Sequence, residues 1–303
     1  MQQPIQVVIS TDRNYLPHAG ALVASLLMNM ADDDRLVVHV MHGGLAEPDQ
    51  ASLRQVFRLR PDHSEVMFHL VNSPLLQQIP LIKHLTIASY YRLLIQDIFP
   101  DLQRVIYLDV DMIVRHSLAD LWAMDLHGKL VGVVEDSDSF AVQYDQMGLA
   151  PGVRFNSGVM LCDLHAMRQL PLWELYQQAL DRFGDRLLAG DQDLLNHVMA
   201  DKTMIISCKW NNATSVYREI VVYKCYDQKQ VREAMSDPVI VHFTGRRKPW
   251  QFKRDRHPYA REYWQYLAYT PWRNRRWRGW AKQLVMGCKV QTDSTYQQCL
   301  KHK

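Results

Sequence analysis

Asp109 and Asp111 stand one residue apart in "RVIYLDVDMIV", Arg104 to Val114, a run otherwise suited to a buried β-strand. Residues i and i+2 of an extended chain share a face, so this spacing aims both carboxylates at one point. Two like charges converging there repel unless something positive lies between them. Carboxylate oxygens are ligands for hard cations such as Mg2+ and Mn2+, which take one or two carboxylates together with phosphate oxygens. A pair of solvated or capping acids has the same spacing, but the apolar residues Val105 to Leu108 put this pair at the end of a strand suited to the centre of a sheet.

A second group lies in "VIVHFTGRRKPW", Val239 to Trp250, where a strand delivers His242, Gly245 follows, and Lys248 follows that. Gly245 lets backbone N–H groups approach an anion, Lys248 can neutralise it as a point charge, and His242 can bind the same metal as the aspartates. A nitrogen ligand beside two carboxylates moves the expectation from Mg2+ toward Mn2+. Taken alone, the segment also reads as a strand, a glycine turn and a solvated basic loop.

The elements that must position these groups follow from periodicity. Short apolar runs such as "IQVVIS", "LVVHVMHG", "RVIYLD", "LVGVVED", "SGVMLCDL" and "PVIVHFT" read as strands. Between several of them lie helical periods, including "LPHAGALVASLLMNM", "IASYYRLLIQDIF" and "HAMRQLPLWELYQQALDRF". The alternation predicts an α/β fold with a largely parallel central sheet flanked by helices. Ligands bind such sheets beyond the carboxyl ends of the strands, where "STDRNY", "DVD" and "EDSD" collect polar residues.

The 303 residues, 48% hydrophobic and 22% charged, can bury a large core without staples. Five scattered cysteines without a Cys-x-x-Cys pair argue against a disulfide framework or structural zinc, and for a reducing compartment. No leader-like start and no long uninterrupted apolar stretch is present, so neither secretion nor membrane spanning is expected. The predicted division is a catalytic domain over residues 1–254 and a helical, basic and aromatic tail over 255–303.

Six Arg and Lys residues between Pro271 and Val290, with no acid among them, exceed the whole net charge of +3. The rest of the chain is therefore net acidic. At helical spacing Trp277, Trp280 and Leu284 share one face while Arg275, Arg278 and Lys282 share the other, a pattern suited to the plane of an anionic membrane surface. A helix packing its tryptophans on the body is the alternative. Nucleic acid is not an expected partner, because the body is acidic and no recognition fold is apparent.

In order along the chain, "STDRNY", "YYRL", "YLDVDMIV", "FNSGVML", "GDQDLLN" and "HFTGRRKPW" resemble the retaining nucleotide-sugar glycosyltransferases of family 8. That family includes bacterial lipopolysaccharide galactosyl- and glucosyltransferases and glycogenin. The resemblance implies a GT-A type fold, a UDP-galactose or UDP-glucose donor, and a divalent metal, Mn2+ or Mg2+. Position by position, it implies that Ser10, Asp12, Asn14 and Tyr15 surround the uridine, with Tyr15 stacking on the base. Arg92 matches a donor-binding arginine, and His84 a position near the diphosphate. Asp109, Asp111 and His242 match the metal ligands, Gly245 and Lys248 the diphosphate contacts. Asp136, Asn156, Asp191 and Gln192 match residues that hold the donor sugar.

The resemblance also makes Asp136, Asp191 and Gln192 the catalytic candidates, and implies that Gln192 lies near the face of the anomeric carbon opposite the leaving group. Asn14 also reads as an N-cap for the helix beginning near Leu16, "GDQDLLN" as a glycine stop with an Asp cap, and "FNSG" as a turn before a strand. Gln192 lacks the ionisable carboxylate of typical retaining glycosidases, which favours front-face substitution. The expectation is a cytoplasmic enzyme, peripheral on the inner face of the cytoplasmic membrane. It would move galactose or glucose to a glycan or glycolipid acceptor, namely the lipopolysaccharide core. The competing readings are a relative acting on a soluble or protein-bound glycan and a catalytically silent nucleotide-sugar-binding module.

Overall fold

The apolar runs form strands buried on both faces wherever their residues are continuously apolar. In the computed structural model, which describes residues 3–79, 86–136, 154–217, 223–245, 247–251 and 257–275, these strands are β1 (Ile5–Ser10), β2 (Leu36–His42), β3 (Ser64–Leu70), β4 (Arg104–Leu108), β5 (Met112–Val114), β6 (Val131–Glu135), β7 (Phe155–Asp163), β8 (Thr203–Ile205), β9 (Asn212–Ala213) and β10 (Ile240–His242). Seven of them make one sheet in the order β3-β2-β1-β4-β7-β6-β8, and β5, β10 and β9 make a small second sheet. The large sheet is mostly parallel, as its alternation with helices predicts.

Two placements depart from the simplest reading. β7 runs antiparallel between β4 and β6, although its residues look like those of its parallel neighbours. A strand buried on both faces carries no periodic mark of its direction. β10, which delivers His242, pairs with β5 and β9 rather than with the main sheet.

The longer helices are α1 (Leu16–Asn29), α2 (Glu47–Arg54), α3 (Leu172–Phe183), α4 (Asp191–Met199), α5 (Gln228–Ser236) and α6 (Ala260–Ala268). α1 is buried on all sides from Leu16 to Leu27, as its near-continuous apolar composition requires. Its entry is held by Asp12, whose Oδ1 accepts from the backbone N–H groups of Asn14 at 2.8 Å and Tyr15 at 2.9 Å. That role falls to Asp12 and not to the exposed Asn14. The period predicted across His165 to Phe183 is broken at Pro171, which cannot donate a helical hydrogen bond, so α3 begins only at Leu172.

α6 lies against α1, where Tyr263 meets His18 and Tyr266 accepts from Asn29 Nδ2 at 2.9 Å. The chain is described as far as Arg275. The amphipathic stretch carrying Trp277, Arg278, Trp280, Lys282 and Leu284 lies outside the described residues, as does His84.

Candidate active site

The "DVD" segment bridges the two sheets. Asp109 N–H donates to the Gly158 carbonyl at 2.8 Å, continuing the β4–β7 pairing. Two residues on, the Asp111 carbonyl accepts from Phe243 N–H at 2.9 Å, beside β10. Ligand atoms of Asp109, Asp111 and His242 thereby come within 4.8 Å of one another. The convergence expected from the spacing is present, and a residue from a remote strand completes it.

Each carboxylate divides its oxygens. Asp109 Oδ1 accepts from Arg92 at 2.7 Å and from the Tyr107 hydroxyl at 3.1 Å, while Oδ2 lies 3.9 Å from His242 Nε2. Asp111 Oδ2 is 2.5 Å from Lys248 Nζ, and Oδ1 is 3.1 Å from His242 Nε2. The two acids are therefore not bare like charges awaiting a metal. The chain supplies a cation to each and leaves one oxygen of each facing the imidazole. Two carboxylate oxygens and one imidazole nitrogen are a donor set that a divalent cation of the Mg2+ or Mn2+ class accepts.

Arg92 is nearly inaccessible. It donates to the Ser157 carbonyl at 2.7 Å and its hydroxyl at 3.0 Å, and to Ser89 through Nε at 3.0 Å. Asp191 Oδ2 sits 2.9 Å from the same Nε, off the direction of its N–H, as an ion pair. One guanidinium thus serves two acids. Burial raises the Asp191 carboxyl to about 7, with Asp109 adding to that and Arg92 opposing it. At Asp111 burial pushes the same way, but Lys248 and His242 outweigh it and hold the carboxyl far below its ordinary range.

The remaining sugar-side candidates join through α4 and β7. Gln192 Nε2 donates to Asp136 at 2.9 Å, and its Oε1 accepts from Ser157 N–H at 3.1 Å. Asn156 Oδ1 accepts from Gly158 N–H at 3.0 Å and from Asn211 Nδ2 at 2.8 Å. Asn196 clamps the start of β7 by accepting from and donating to the Phe155 backbone. "FNSG" is thus not a turn before a strand but the first residues of β7, where the register against β6 shifts between Val133 and Val134.

The uridine candidates lie one strand over. β1 pairs with β4 so that Ile9 stands opposite Leu108, which puts Ser10 level with Asp109 and opens the "STDRNY" loop beside the acids. Burial raises the Tyr15 phenol, Lys248 lowers it and Asp111 raises it, so its ring is within electrostatic reach of both. The ring also meets Trp250 edge-on, with centroids 6.4 Å apart. Gly245 takes φ +75° between His242 and Lys248, a left-handed conformation that favours glycine. Asp12 Oδ2 makes no hydrogen bond among the described residues.

Arg92, Asp109, Asp111, Asp136, Asn156, Asp191, Gln192, His242 and Lys248 thus belong to one connected polar network at the strand ends, with Ser10, Asp12, Asn14 and Tyr15 along one edge. Sequence reasoning missed Ser157, Gly158, Asn196 and Asn211. Ser157 and Gly158 stood inside the quoted "FNSG" and Asn196 inside "GDQDLLN", whereas nothing in the "KWNN" context of Asn211 marks it.

The family described as "Glycosyl transferase family 8" matches residues 6–254. The chain belongs to glycosyltransferase family 8. It is 30% identical to General stress protein A of Bacillus subtilis, covering 88% of this chain and 94% of that protein. It is 25% identical to the lipopolysaccharide 1,3-galactosyltransferase of Salmonella typhimurium, over 88% of this chain and 78% of that one. Among solved structures, the galactosyltransferase LgtC in complex with donor and acceptor sugar analogues superposes with a TM-score of 0.78 at 23% identity, covering 89% of this chain and all of that one. This family 8 glycosyltransferase has the GT-A type fold.

Proposed function

We propose that this glycosyltransferase moves galactose or glucose from a UDP-sugar to a glycan acceptor, with retention of anomeric configuration. The acceptor in this reading is the core oligosaccharide of a bacterial lipopolysaccharide or lipooligosaccharide. One observation carries the donor assignment: Asp109 Oδ2, Asp111 Oδ1 and His242 Nε2 converge beside Lys248 and the β1 loop, where a nucleotide diphosphate would lie. The name of the Salmonella relative supports the acceptor class.

Asp109, Asp111 and His242 would hold the metal, with manganese preferred because of the imidazole. When bound, such an ion supplies a Lewis acid that draws charge from a departing diphosphate. Lys248 contributes a second positive charge at the same place, and groups aimed at charge that grows on departure stabilise the transition state more than the ground state. Asp12 Oδ2 can accept from a uracil N–H, and Tyr15 offers a ring face for the base. Asn156, Asp136 and Asp191 would hold sugar hydroxyls, with Gly245 opening its backbone to the diphosphate and His84 standing near it.

Gln192 has no ionisable group, and its amide is already engaged by Asp136 and Ser157. Asp191 is buried against Arg92. Neither is placed as a free nucleophile, so the acceptor hydroxyl would enter on the face from which UDP leaves and pass its proton to a diphosphate oxygen. A sugar adduct on Gln192 or Asp191, trapped and seen by mass spectrometry, would overturn this route.

In the same reading residues 1–254 are the catalytic unit and 255–303 a tail that seats the enzyme on the inner face of the cytoplasmic membrane. No helix among the described residues is long and apolar enough to cross a membrane, and the basic, Trp-bearing stretch gives the surface its attachment. Release of UDP from a panel of UDP-sugars, with Mn2+, with Mg2+ and with chelator, tests the function. Turnover restored best by Mn2+ is expected; full activity in chelator removes the metal, and no turnover with any common UDP-sugar removes the donor.

A further inference from the structure

His242 is gripped from two sides. On one side stands Gly158, whose Cα has no room for a side chain, since a Cβ there would run into the imidazole and into the Met112 methyl. On the other is Asn211, 2% exposed, immediately before β9. Its Oδ1 is 2.9 Å from His242 Nδ1.

The proton positions along this path follow from one unambiguous donor. Gly158 N–H can only donate, so the Asn156 atom that receives it is Oδ1. The Asn211 atom 2.8 Å from that oxygen must then be the donor Nδ2. The other terminal atom of Asn211 is its acceptor oxygen, and His242 Nδ1 must carry a proton to meet it. With Nδ1 committed to Asn211, Nε2, which can donate to Asp111 Oδ1, is the nitrogen that would give up its proton and offer its lone pair to a metal between Asp109 and Asp111. The same relay turns Asn156 Nδ2 away from Asn211, and that group makes no hydrogen bond among the described residues.

We propose that Asn211 is a positioning residue that sets the tautomer of His242 for metal binding and, through its other end, points the Asn156 amide N–H at the donor sugar. This rests on the metal site and UDP-hexose donor proposed above. Asn211 touches neither the metal nor the donor and acts only through its two neighbours. It therefore couples occupancy of the metal site to recognition of the hexose.

Two substitutions separate its ends. Asn211→Asp keeps an acceptor for His242 Nδ1–H but cannot donate to Asn156 Oδ1; Asn211→Leu removes both functions. Calorimetric titration with Mn2+ alone and with Mg2+ alone should give Asn211→Leu a 10- to 100-fold weaker site, the usual cost of losing a group that orients a metal ligand. Asn211→Asp should bind the ions as tightly as wild type or tighter. It should bind UDP normally yet lose about fivefold for UDP-hexose, the worth of one hydrogen bond.

Nitrogen-15 spectra of the Mg2+-loaded protein should show the Nδ1–H form of His242 in wild type and Asn211→Asp, and its loss in Asn211→Leu. If wild type takes up neither ion, the metal site itself is wrong and this assignment falls with it. If wild type binds and Asn211→Leu binds equally, with the tautomer unchanged, only the role of Asn211 is overturned. Should Asn211→Leu fail to fold, a tenfold loss of metal affinity in Asn211→Asp overturns it in the same way.

Discussion

The two sides of the acid pair are neutralised in opposite ways. On the Arg92 side one buried guanidinium is shared between Asp109 and Asp191. On the Lys248 side two groups, an ammonium and an imidazole, converge on Asp111, with Asp109 Oδ2 farther from the same imidazole. The first side is deeply buried with one cation for two acids, and the Asp191 carboxyl rises; on the second, Lys248 and the imidazole outweigh burial, and the Asp111 carboxyl falls. Arg92 comes from a helical turn packed in the body and donates to the β7 backbone. Lys248 comes from a loop, and among the described residues its ammonium is held by Asp111 and the Phe243 carbonyl. The lesson is a division of labour: a permanent cation that holds the scaffold, and one that, in the proposed function, the donor's phosphates would draw away.

The sharpest break of this comparison is Arg92→Leu. It strands the buried Asp191 and the half-buried Asp109 and should cost about 3–5 kcal/mol of unfolding free energy, measured by denaturant titration, along with transfer activity. A stable Arg92→Leu protein would refute the scaffold role. Lys248→Ala should instead cut transfer about a hundredfold, roughly 3 kcal/mol in the barrier, with the smaller loss of stability of the two. Equal losses of stability would erase the distinction.

Gly158→Ala probes the seam between the sides, because Gly158 bonds Asp109 through its carbonyl and meets the His242 ring with its bare Cα. It should cost about 1–3 kcal/mol by overpacking. Metal affinity by titration should fall at least tenfold, since a displaced ligand loses more than a misoriented one.

The smallest effect is on pH dependence. A carboxyl raised to about 7 in the folded protein contributes stability that is complete below its unfolded value near 4 and is lost as pH rises through about 7. Asp111, depressed, contributes above about pH 4 and loses that only in stronger acid. Burial depresses His18 and His39, which makes stability rise with pH over the same window, so the Asp191 effect is read as a difference: between pH 6 and 7 metal-free wild type should lose about 1 kcal/mol relative to Asp191→Asn. An unchanged slope in that variant would assign the titration elsewhere.

Much of the site was legible because its signals are local. The spacing of Asp109 and Asp111, and of His242, Gly245 and Lys248, lies within single short segments. The fold class was legible from alternating periods, and the family from motif order. What escaped notice depends on contacts between remote segments. Asn211 reaches Asn156 across 55 residues and His242 across 31. Asn14 reads in the sequence as the cap of the helix near Leu16, yet it is Asp12 that holds both backbone groups.

By itself the sequence determined which residue types gather at the strand ends, because periodicity and spacing act over a few residues and need no knowledge of the rest of the chain. It also determined that two carboxylates would converge. Only the tertiary structure decided how they are balanced: which cation faces which oxygen, which way β7 runs, and which nitrogen of His242 is left free. Those outcomes depend on hydrogen-bond directions among side chains brought together from distant strands, and direction has no signature in composition or order.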